Sequence, residues 1–405
     1  MIEKYLSKID IIAGNDINYV LKKKSIGIFD IKVIDFLSEC SSIILSNLNN
    51  YHELREFAGF AFWIRKANLL LLKKQYSNLD NRFGRGIALH ISPSNVVTNA
   101  LYTFAFGLLS GCPSIIRISG SNKDVIKTIM SLIHTSEMKD KYLPIIELYS
   151  FITYMHSDKI NNYLSKNVDL RLIWGGNETI KLFKAYQTKP NCIDLPFPDR
   201  TSSAYIEMQS LNKVKGKELE NIVTGLAKDI FIFSQRACSS PLYIFSNCKK
   251  SEEKNLVEFL KLVNKSIKNI SNTPSGFSRL DHFKGSADLA LNIPQKGKSL
   301  LISDYLTIFK IEDFSIDSKM SYKPFNGCLI YIPIESIEQM PKFLDPSNQT
   351  TILVPFNENL ARDIMTIVAP LGTNRIVGAG NAVNMHLFWD GYDIVSCLSK
   401  NIQFY

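Results

Sequence analysis

Gly86-Ile87-Ala88-Leu89-His90-Ile91-Ser92-Pro93-Ser94-Asn95 is the stretch on which the reading of the fold turns. Residues 86–91 are mostly apolar and open on glycine, which makes a short strand. Ser-Pro-Ser-Asn then breaks the pattern, and a helical spacing of apolar residues runs over 96–110, stopped by Gly111 in the position that favours a left-handed residue. Residues 114–118 read as the next strand. Ser121 or Asn122 caps an amphipathic helix with Val125, Ile126, Ile129, Met130, Leu132 and Ile133 on one side. Further strands are expected over 144–151 and 169–174, with a helix-like stretch over 156–164 between them. Strands and helices alternating at these lengths predict an α/β fold with a parallel, doubly wound sheet, whose ligands bind at the carboxyl ends of the strands.

Outward from that core the pattern is coarser. Residues 1–80 read as mainly helical. A second α/β region follows Ala204, with a helix over 217–230 and a strand over 241–245. Ser251 opens a helix with Glu252 and Glu253 in its first turn and Leu256, Phe259, Leu260, Val263 and Ile267 on one face. Strands follow over 328–334 and 351–354, and a strand-like segment closes the chain after Trp389-Asp390-Gly391. There is no internal repeat, low-complexity tract or linker. The expected organisation is a cofactor-binding domain over 1–204 and a catalytic domain over 205–386, with 387–405 returning to the first or forming an oligomerisation segment.

Composition excludes several classes. A chain of 405 residues is long for one core and comfortable for two domains. With 45% hydrophobic and 21% charged residues it has the balance of a soluble globular protein rather than a disordered one. The net charge of +9 comes from lysines spread along the chain, with only short clusters such as Lys22-Lys23-Lys24. This is a solvated surface rather than a nucleic-acid footprint, and its mild positive field favours phosphate-rich ligands. The most apolar stretch, 96–112, is interrupted by Thr98, Asn99, Thr103 and Ser110, so it reads as a buried helix and not a membrane span. Met1-Ile2-Glu3-Lys4 lacks a signal-peptide pattern, which places the expected location in the cytoplasm without stable membrane insertion. The seven cysteines, at 40, 112, 192, 238, 248, 328 and 397, form no C-x-x-C pair. They read as reduced thiols, with neither a disulfide framework nor a zinc site.

Four segments carry residues suited to chemistry. In Phe233-Ser234-Gln235-Arg236-Ala237-Cys238-Ser239-Ser240-Pro241 a cysteine sits between a helix and a strand, with Arg236 near enough in sequence to favour its thiolate. A buried structural thiol is the plainer account of any lone cysteine. Asn95, between a strand and a helix, can donate its amide to an oxyanion or serve as a helix cap. Arg117 and Ser119, at the end of the next strand, can grip a ribose or phosphate. Gly175 and Gly176, in Ile173-Trp174-Gly175-Gly176-Asn177-Glu178, allow a pyrophosphate close to the backbone. The segment is not G-x-G-x-x-G, so a standard dinucleotide fingerprint is not supported.

In this order the four segments resemble the aldehyde dehydrogenase superfamily. The wording S-P-S-N-V at 92–96 and Q-R-A-C-S-S-P at 235–241 is similar to the acyl-CoA reductases typified by LuxC, the bioluminescence fatty-acid reductase. Leu371-Gly372-Thr373-Asn374-Arg375-Ile376-Val377 and Trp389-Asp390-Gly391 extend the resemblance, which covers about residues 80–400. It implies an aldehyde dehydrogenase-like fold, with a Rossmann-type cofactor domain and an α/β catalytic domain. It implies that Cys238 is the nucleophile and Asn95 the oxyanion donor acting on the same carbonyl. Arg117 falls at the adenosine ribose, and Gly175 and Gly176 at the pyrophosphate. The implied reaction is reduction of a medium- or long-chain acyl thioester, on coenzyme A or a protein, to the aldehyde through an S-acyl cysteine, with no metal. Self-association and an acyl-protein synthetase partner are implied as well.

Three departures from the superfamily shape these expectations. K-P-S-E becomes Arg117-Ile118-Ser119-Gly120, which removes the acid for a ribose 2′-hydroxyl and favours NADPH, with NADH as the second candidate. The general-base glutamate is absent, and its stretch reads Phe197-Pro198-Asp199-Arg200-Thr201-Ser202-Ser203. This speaks against the main rival, an aldehyde-oxidising enzyme, which needs a base for hydrolytic water. Third, Lys323-Pro324-Phe325-Asn326-Gly327 stands where an E-x-F-G-P glutamate holds the nicotinamide ribose. The other rival is a catalytically silent thioester-binding subunit. Asp199 reads as a proton-transfer group or, more plainly, as part of a salt-bridged loop with Arg200. His90 and His386 read as structural. The apolar residues of 96–109 line an acyl tunnel or pack a core.

Overall fold

In the computed structural model, residues 6–267, 270, 278–292, 297–311 and 323–404 are described. The chain divides into two units, Met1–Asp199 with Met385–Tyr405, and Arg200–Asn384.

The first unit is built on six strands: β1 (Asp10–Gly14), β2 (Ala88–Ile91), β3 (Ser114–Arg117), β4 (Tyr149–Thr153), β5 (Leu170–Trp174) and β6 (Ile193–Phe197). They lie in the order β1-β4-β3-β2-β5-β6, and every neighbouring pair is parallel except β1 with β4. β2, β4 and β5 are buried along their whole length, as expected of parallel strands covered on both faces. The chain runs outward from β2 through β3 to β4 and then returns to β5 beside β2. The strand order therefore reverses between β2 and β5, where doubly wound sheets bind ligands.

Six helices of this unit matter here: α1 (Ile31–Asn47), α2 (Asn99–Leu109), α3 (Lys123–Ile133), α4 (Ser136–Ile146), α5 (Asp158–Asn167) and α6 (Asn177–Ala185). α3 turns Ile126, Ile129, Met130 and Ile133 inward, while Val125 and Leu132, read on the same side, are half-buried. α2 is buried almost throughout. Phe104 meets Tyr149 and Phe151 edge-on, with centroids 4.6 and 5.1 Å apart, while Tyr102 and Phe106 pack on Trp63. These described contacts make the apolar stretch 96–109 a core helix.

The described residues up to 80 are mainly helical, as read, with the addition of β1, which pairs antiparallel with β4, Asp10 opposite Thr153, and forms the sheet edge. Two sequence expectations are corrected. Residues 144–151 are not one strand. α4 continues through Pro144 because Tyr142 kinks it (φ −123°, ψ 23°). Pro144 thus enters the first turn of a restarted helix, where its missing N–H costs little, and β4 begins only at Tyr149. Ahead of α3, Asn122 takes the cap position without a side-chain capping bond, and the local bond runs from the Ser121 N–H to Ser119 Oγ, 3.3 Å.

Among the described residues the second unit has seven strands: β7 (Thr201–Ile206), β8 (Tyr243–Ser246), β9 (Lys298–Ile302), β10 (Thr307–Lys310), β11 (Cys328–Pro333), β12 (Asn348–Val354) and β13 (Arg375–Gly378). Their order is β9-β10-β11-β8-β7-β12-β13, parallel except for β9 with β10. Alternation along β7 sends Ala204 and Ile206 to one face and Tyr205 to the other. α7 (Gly216–Phe231) and α8 (Glu253–Ser266) cover the first face with Leu226, Ile230, Leu256 and Leu260. α9 (Arg279–Asn292) and α10 (Glu358–Val368) cover the second with Leu289, Ile364 and Val368. The strand Ser399–Asn401 pairs antiparallel with Arg82–Gly84, so the chain's last segment lies on the first unit.

Candidate active site

The segment leading to Cys238 begins where α7 ends. Phe233, Ser234 and Gln235 follow with φ of 56°, 52° and 62°, a run of left-handed residues without a glycine. Each costs roughly 1–2 kcal/mol, so the surroundings must hold it. The Gln235 amide does so. It is 4% exposed. Its Nε2 donates to the carbonyls of Pro241 and Cys328, both at 2.9 Å, and its Oε1 accepts from the Gly327 N–H at 2.7 Å.

Cys238 itself is half-buried and outside any disulfide. The Ser240 N–H donates to the Ala237 carbonyl at 3.0 Å, closing a turn around it. Ser202 Oγ donates to the Cys238 carbonyl at 2.8 Å and accepts from the Thr350 N–H at 3.2 Å. Both peptide planes flanking Cys238 are thereby fixed. Because a trans peptide points its N–H opposite to its carbonyl, the direction of the Cys238 N–H is set by the Ala237 carbonyl. The anchors stand at the starts of β7 and β11 and just before β8. The nucleophile turn therefore lies at the amino ends of strands, with Cys238 between α7 and β8 as the sequence reading had it.

The same amide reaches the segment 323–327. Asn326 (φ 54°) and Gly327 (φ 80°) form a second left-handed turn, and the Asn326 carbonyl lies 2.7 Å from His282 Nδ1. Lys323 is exposed. Cys328, beside this turn, is buried and its thiol is pushed up to about 11, which marks it as a structural sulfur.

On the first unit, Asn95 is exposed in the loop after β2. Thr98, not Asn95, takes the cap position of α2, so the capping account of Asn95 does not hold. The Ser92 N–H donates to the Arg117 carbonyl at 3.0 Å, and Asn122 Nδ2 lies 3.4 and 3.5 Å from the carbonyls of Pro93 and Ser94. Arg117 ends β3 and holds its guanidinium 5.5 Å from the centroid of Tyr154. Both line a cavity of about 180 Å³, together with Ile91, Asn161, Thr179 and Phe183 among others. From the lining residues Tyr154 and Asn161 a chain of hydrogen bonds runs away from the cavity. Tyr154 OH donates to Asn161 Oδ1 (2.6 Å), Asn161 Nδ2 to Tyr186 OH (3.1 Å), and Tyr186 OH to Asp158 Oδ1 (2.5 Å). The sequence reading missed Tyr154, Asn161, Thr179 and Phe183. Their signal was position: Tyr154 directly follows β4, and Thr179 and Phe183 stand one turn apart on α6. Ser119 is half-buried, its hydroxyl 2.7 Å from Ser121 Oγ.

Gly175 and Gly176 join β5 to α6. A Cβ on Gly175 would sit 2.9 Å from Thr179 Cγ2. The first helical N–H, of Asn177, donates to Asp199 Oδ2 at 3.1 Å. Asp199 thus caps α6, while Arg200 donates to the Pro346 carbonyl (2.7 Å) and Asn374 Oδ1 (2.9 Å). His90 is fully buried between Thr103 Oγ1 and Ser114 Oγ, and burial lowers its pKa to about 3, so it stays neutral. The Phe388 N–H donates to His386 Nδ1 at 3.2 Å.

Residues 65–399 match the family model of the LuxC acyl-CoA reductases. This chain belongs to the LuxC family. Among curated relatives, the long-chain acyl-protein thioester reductase of Vibrio harveyi is 27% identical over 186 residues, 44% of this chain and 36% of that protein. The enzyme of the same name from Aliivibrio fischeri is 24% identical over 158 residues, 38% of this chain and 31% of that one. The matched region thus spans about a third of these relatives' length. Aldehyde dehydrogenase 21 from Physcomitrella patens superposes with a TM-score of 0.65 at 9% identity, covering 91% of this chain and 84% of its own. A lactaldehyde dehydrogenase does so at 0.65 and 13%, covering 92% and 86%. The LuxC-family chain has the aldehyde dehydrogenase-like α/β fold.

A nicotinamide dinucleotide is the cofactor this fold implies, and the residues of the LuxC-family chain fit one. Around the cavity stand a cation, hydroxyl and amide groups and an apolar wall, and none of the side chains named above as lining it is acidic. Among the described residues no cluster of His, Cys, Asp and Glu is placed to hold a metal, and no helix is long and apolar enough to cross a membrane.

Proposed function

We propose that this chain reduces an acyl thioester to an aldehyde through an S-acyl intermediate on Cys238, with NADPH as reductant. The observation that carries the reading is the nucleophile turn: a half-buried thiol whose two flanking carbonyls are both held by hydrogen bonds. That is how a backbone N–H is preorganised toward an oxyanion.

Cys238, as thiolate, attacks the thioester carbonyl. Its own N–H and the Asn95 amide stabilise the oxyanion, a role worth roughly 3–4 kcal/mol per donor in comparable sites. As the tetrahedral intermediate collapses, the C–S bond to the carrier breaks, the carrier leaves as a thiolate that takes up a proton, and the acyl group stays on Cys238. What the nicotinamide supplies when bound is a hydride for the acyl carbon. The thiohemiacetal anion then expels the Cys238 thiolate and the aldehyde departs. Absence of the superfamily's general base suits this course, because water at the thioester would divert it to free acid.

The names of the curated relatives favour a protein-bound thioester as donor, with acyl-CoA as the simpler alternative. Arg117 at the cavity wall, with glycine at 120 in place of the superfamily's ribose acid, supports a 2′-phosphate, hence NADPH ahead of NADH. An acyl-protein synthetase partner and self-association rest on family membership. Labelled acyl-CoA without cofactor tests the core of the proposal: label should remain on wild type and not on Cys238→Ala. Equal labelling of the two proteins removes Cys238 from the reaction.

A further inference from the structure

The nucleophile turn carries two features that a reactive thiol alone does not require. One is the left-handed run Phe233, Ser234 and Gln235. The other is the use of a fully engaged buried amide to hold it. Gln235 spends both amide protons on carbonyls and its oxygen on an N–H. Two of those three partners, Gly327 and Cys328, lie in and directly after the left-handed turn at Asn326 and Gly327, in the segment that the sequence reading placed at the nicotinamide ribose. The third, Pro241, leads into β8. A single side chain thus ties the exit of the nucleophile turn to the entry of β11. The Asn326–Gly327 peptide is gripped from both sides, since the Asn326 carbonyl faces His282 while the Gly327 N–H faces Gln235.

We infer that Gln235 is a positioning residue, whose amide locks the turn bearing Cys238 in register with the turn at Asn326 and Gly327. This deepens the proposed function and rests on Cys238 being the nucleophile. The physical reason is geometric. Three neighbouring left-handed residues are each unfavourable, and without the clamp the segment relaxes toward ordinary backbone angles. The peptide planes around Cys238 move with it. A displacement of about 1 Å at a reacting group costs on the order of 100-fold in rate. Gln235 touches neither substrate nor thiol in this account and acts only through the backbone.

The experiment follows single-turnover transfer of label from radiolabelled palmitoyl-CoA, without cofactor, to wild type, Cys238→Ala, Gln235→Met and Gln235→Glu. Cys238→Ala controls the premise: label on it overturns the nucleophile reading and the inference with it. With that control silent, Gln235→Met, which keeps volume and loses all three bonds, is expected to acylate on the order of 10- to 100-fold more slowly at saturation. Its half-saturating palmitoyl-CoA concentration stays within about threefold of wild type, since the change is not in ground-state binding. Gln235→Glu supplies the conservative rescue. Protonated, it offers one donor and one acceptor; ionised, it turns two acceptors on carbonyls. Burial raises such a carboxyl into an accessible range, so the Gln235→Glu rate relative to wild type should recover as pH falls. Wild-type acylation by Gln235→Met overturns the inference and leaves Cys238 in place. If Gln235→Met does not fold, the Gln235→Glu profile decides alone, and a ratio to wild type flat in pH overturns it.

Discussion

At the scale of single residues, charge placement around the phosphate-facing turns gives two predictions. Asp199 holds the first N–H of α6, the terminus expected to receive a pyrophosphate. A carboxylate there competes with an incoming anion for the same amide and dipole. Asp199→Asn keeps a capping oxygen and sheds the charge, so NADPH should bind about 2- to 5-fold more tightly, the equivalent of roughly 0.3–1 kcal/mol. Fluorescence titration measures this, and unchanged or weaker binding would place the pyrophosphate elsewhere. Arg117 stands at the cavity with its guanidinium over Tyr154. If it pairs with a 2′-phosphate, Arg117→Met should cost NADPH about ten times more affinity than NADH, in line with one charge-assisted bond. Equal losses for the two cofactors would reassign Arg117 to the shared ribose.

Among elements, α7 shows how one buried group sets a pH dependence. Asp229 is fully buried near the end of α7 and accepts from the N–H groups of Gly380 (2.6 Å) and Ala382 (3.1 Å). Burial raises its carboxyl from the ordinary 3.8 to about 6, against the opposing pull of those donors. Folding then favours the protonated form. The contribution is fully present below the unfolded value and is lost as pH rises through about 6. Compared with Asp229→Asn, which does not titrate, wild type should lose stability in urea between these two pH values, and parallel curves for the two proteins would contradict it. α2 supplies the complementary case. Phe104 is buried against Tyr149 and Phe151. Phe104→Ala should cost about 3–5 kcal/mol of stability and leave Cys238 acylation per folded molecule unchanged. A selective loss of long-chain substrates at full stability would restore the tunnel account of this helix.

For the whole molecule, the net charge of +9 acts on ligands that are themselves strongly anionic. KM for acyl-CoA should rise with ionic strength, while KM for an uncharged thioester such as an acyl N-acetylcysteamine should not. A salt response shared by both substrates would point to a conformational rather than a steering effect. The sequence alone determined the alternation that builds two α/β sheets, the core faces of α3 and α8, and the segments that hold Cys238, Asn95, Arg117 and the paired glycines. It did so because apolar periodicity and turn residues are local, and local patterns are written directly in the chain. Tertiary structure alone decided that residues 10–14 complete a sheet edge, that α4 runs through Pro144, that Asp199 caps α6, and that Gln235 and Ser202 fix the turn around Cys238. Apart from the local kink at Tyr142, those outcomes depend on partners farther along the chain, such as Thr153 for Asp10, Cys328 for Gln235 and Thr350 for Ser202. A hydrogen bond between distant residues leaves no periodicity in either, so only the folded chain reveals it.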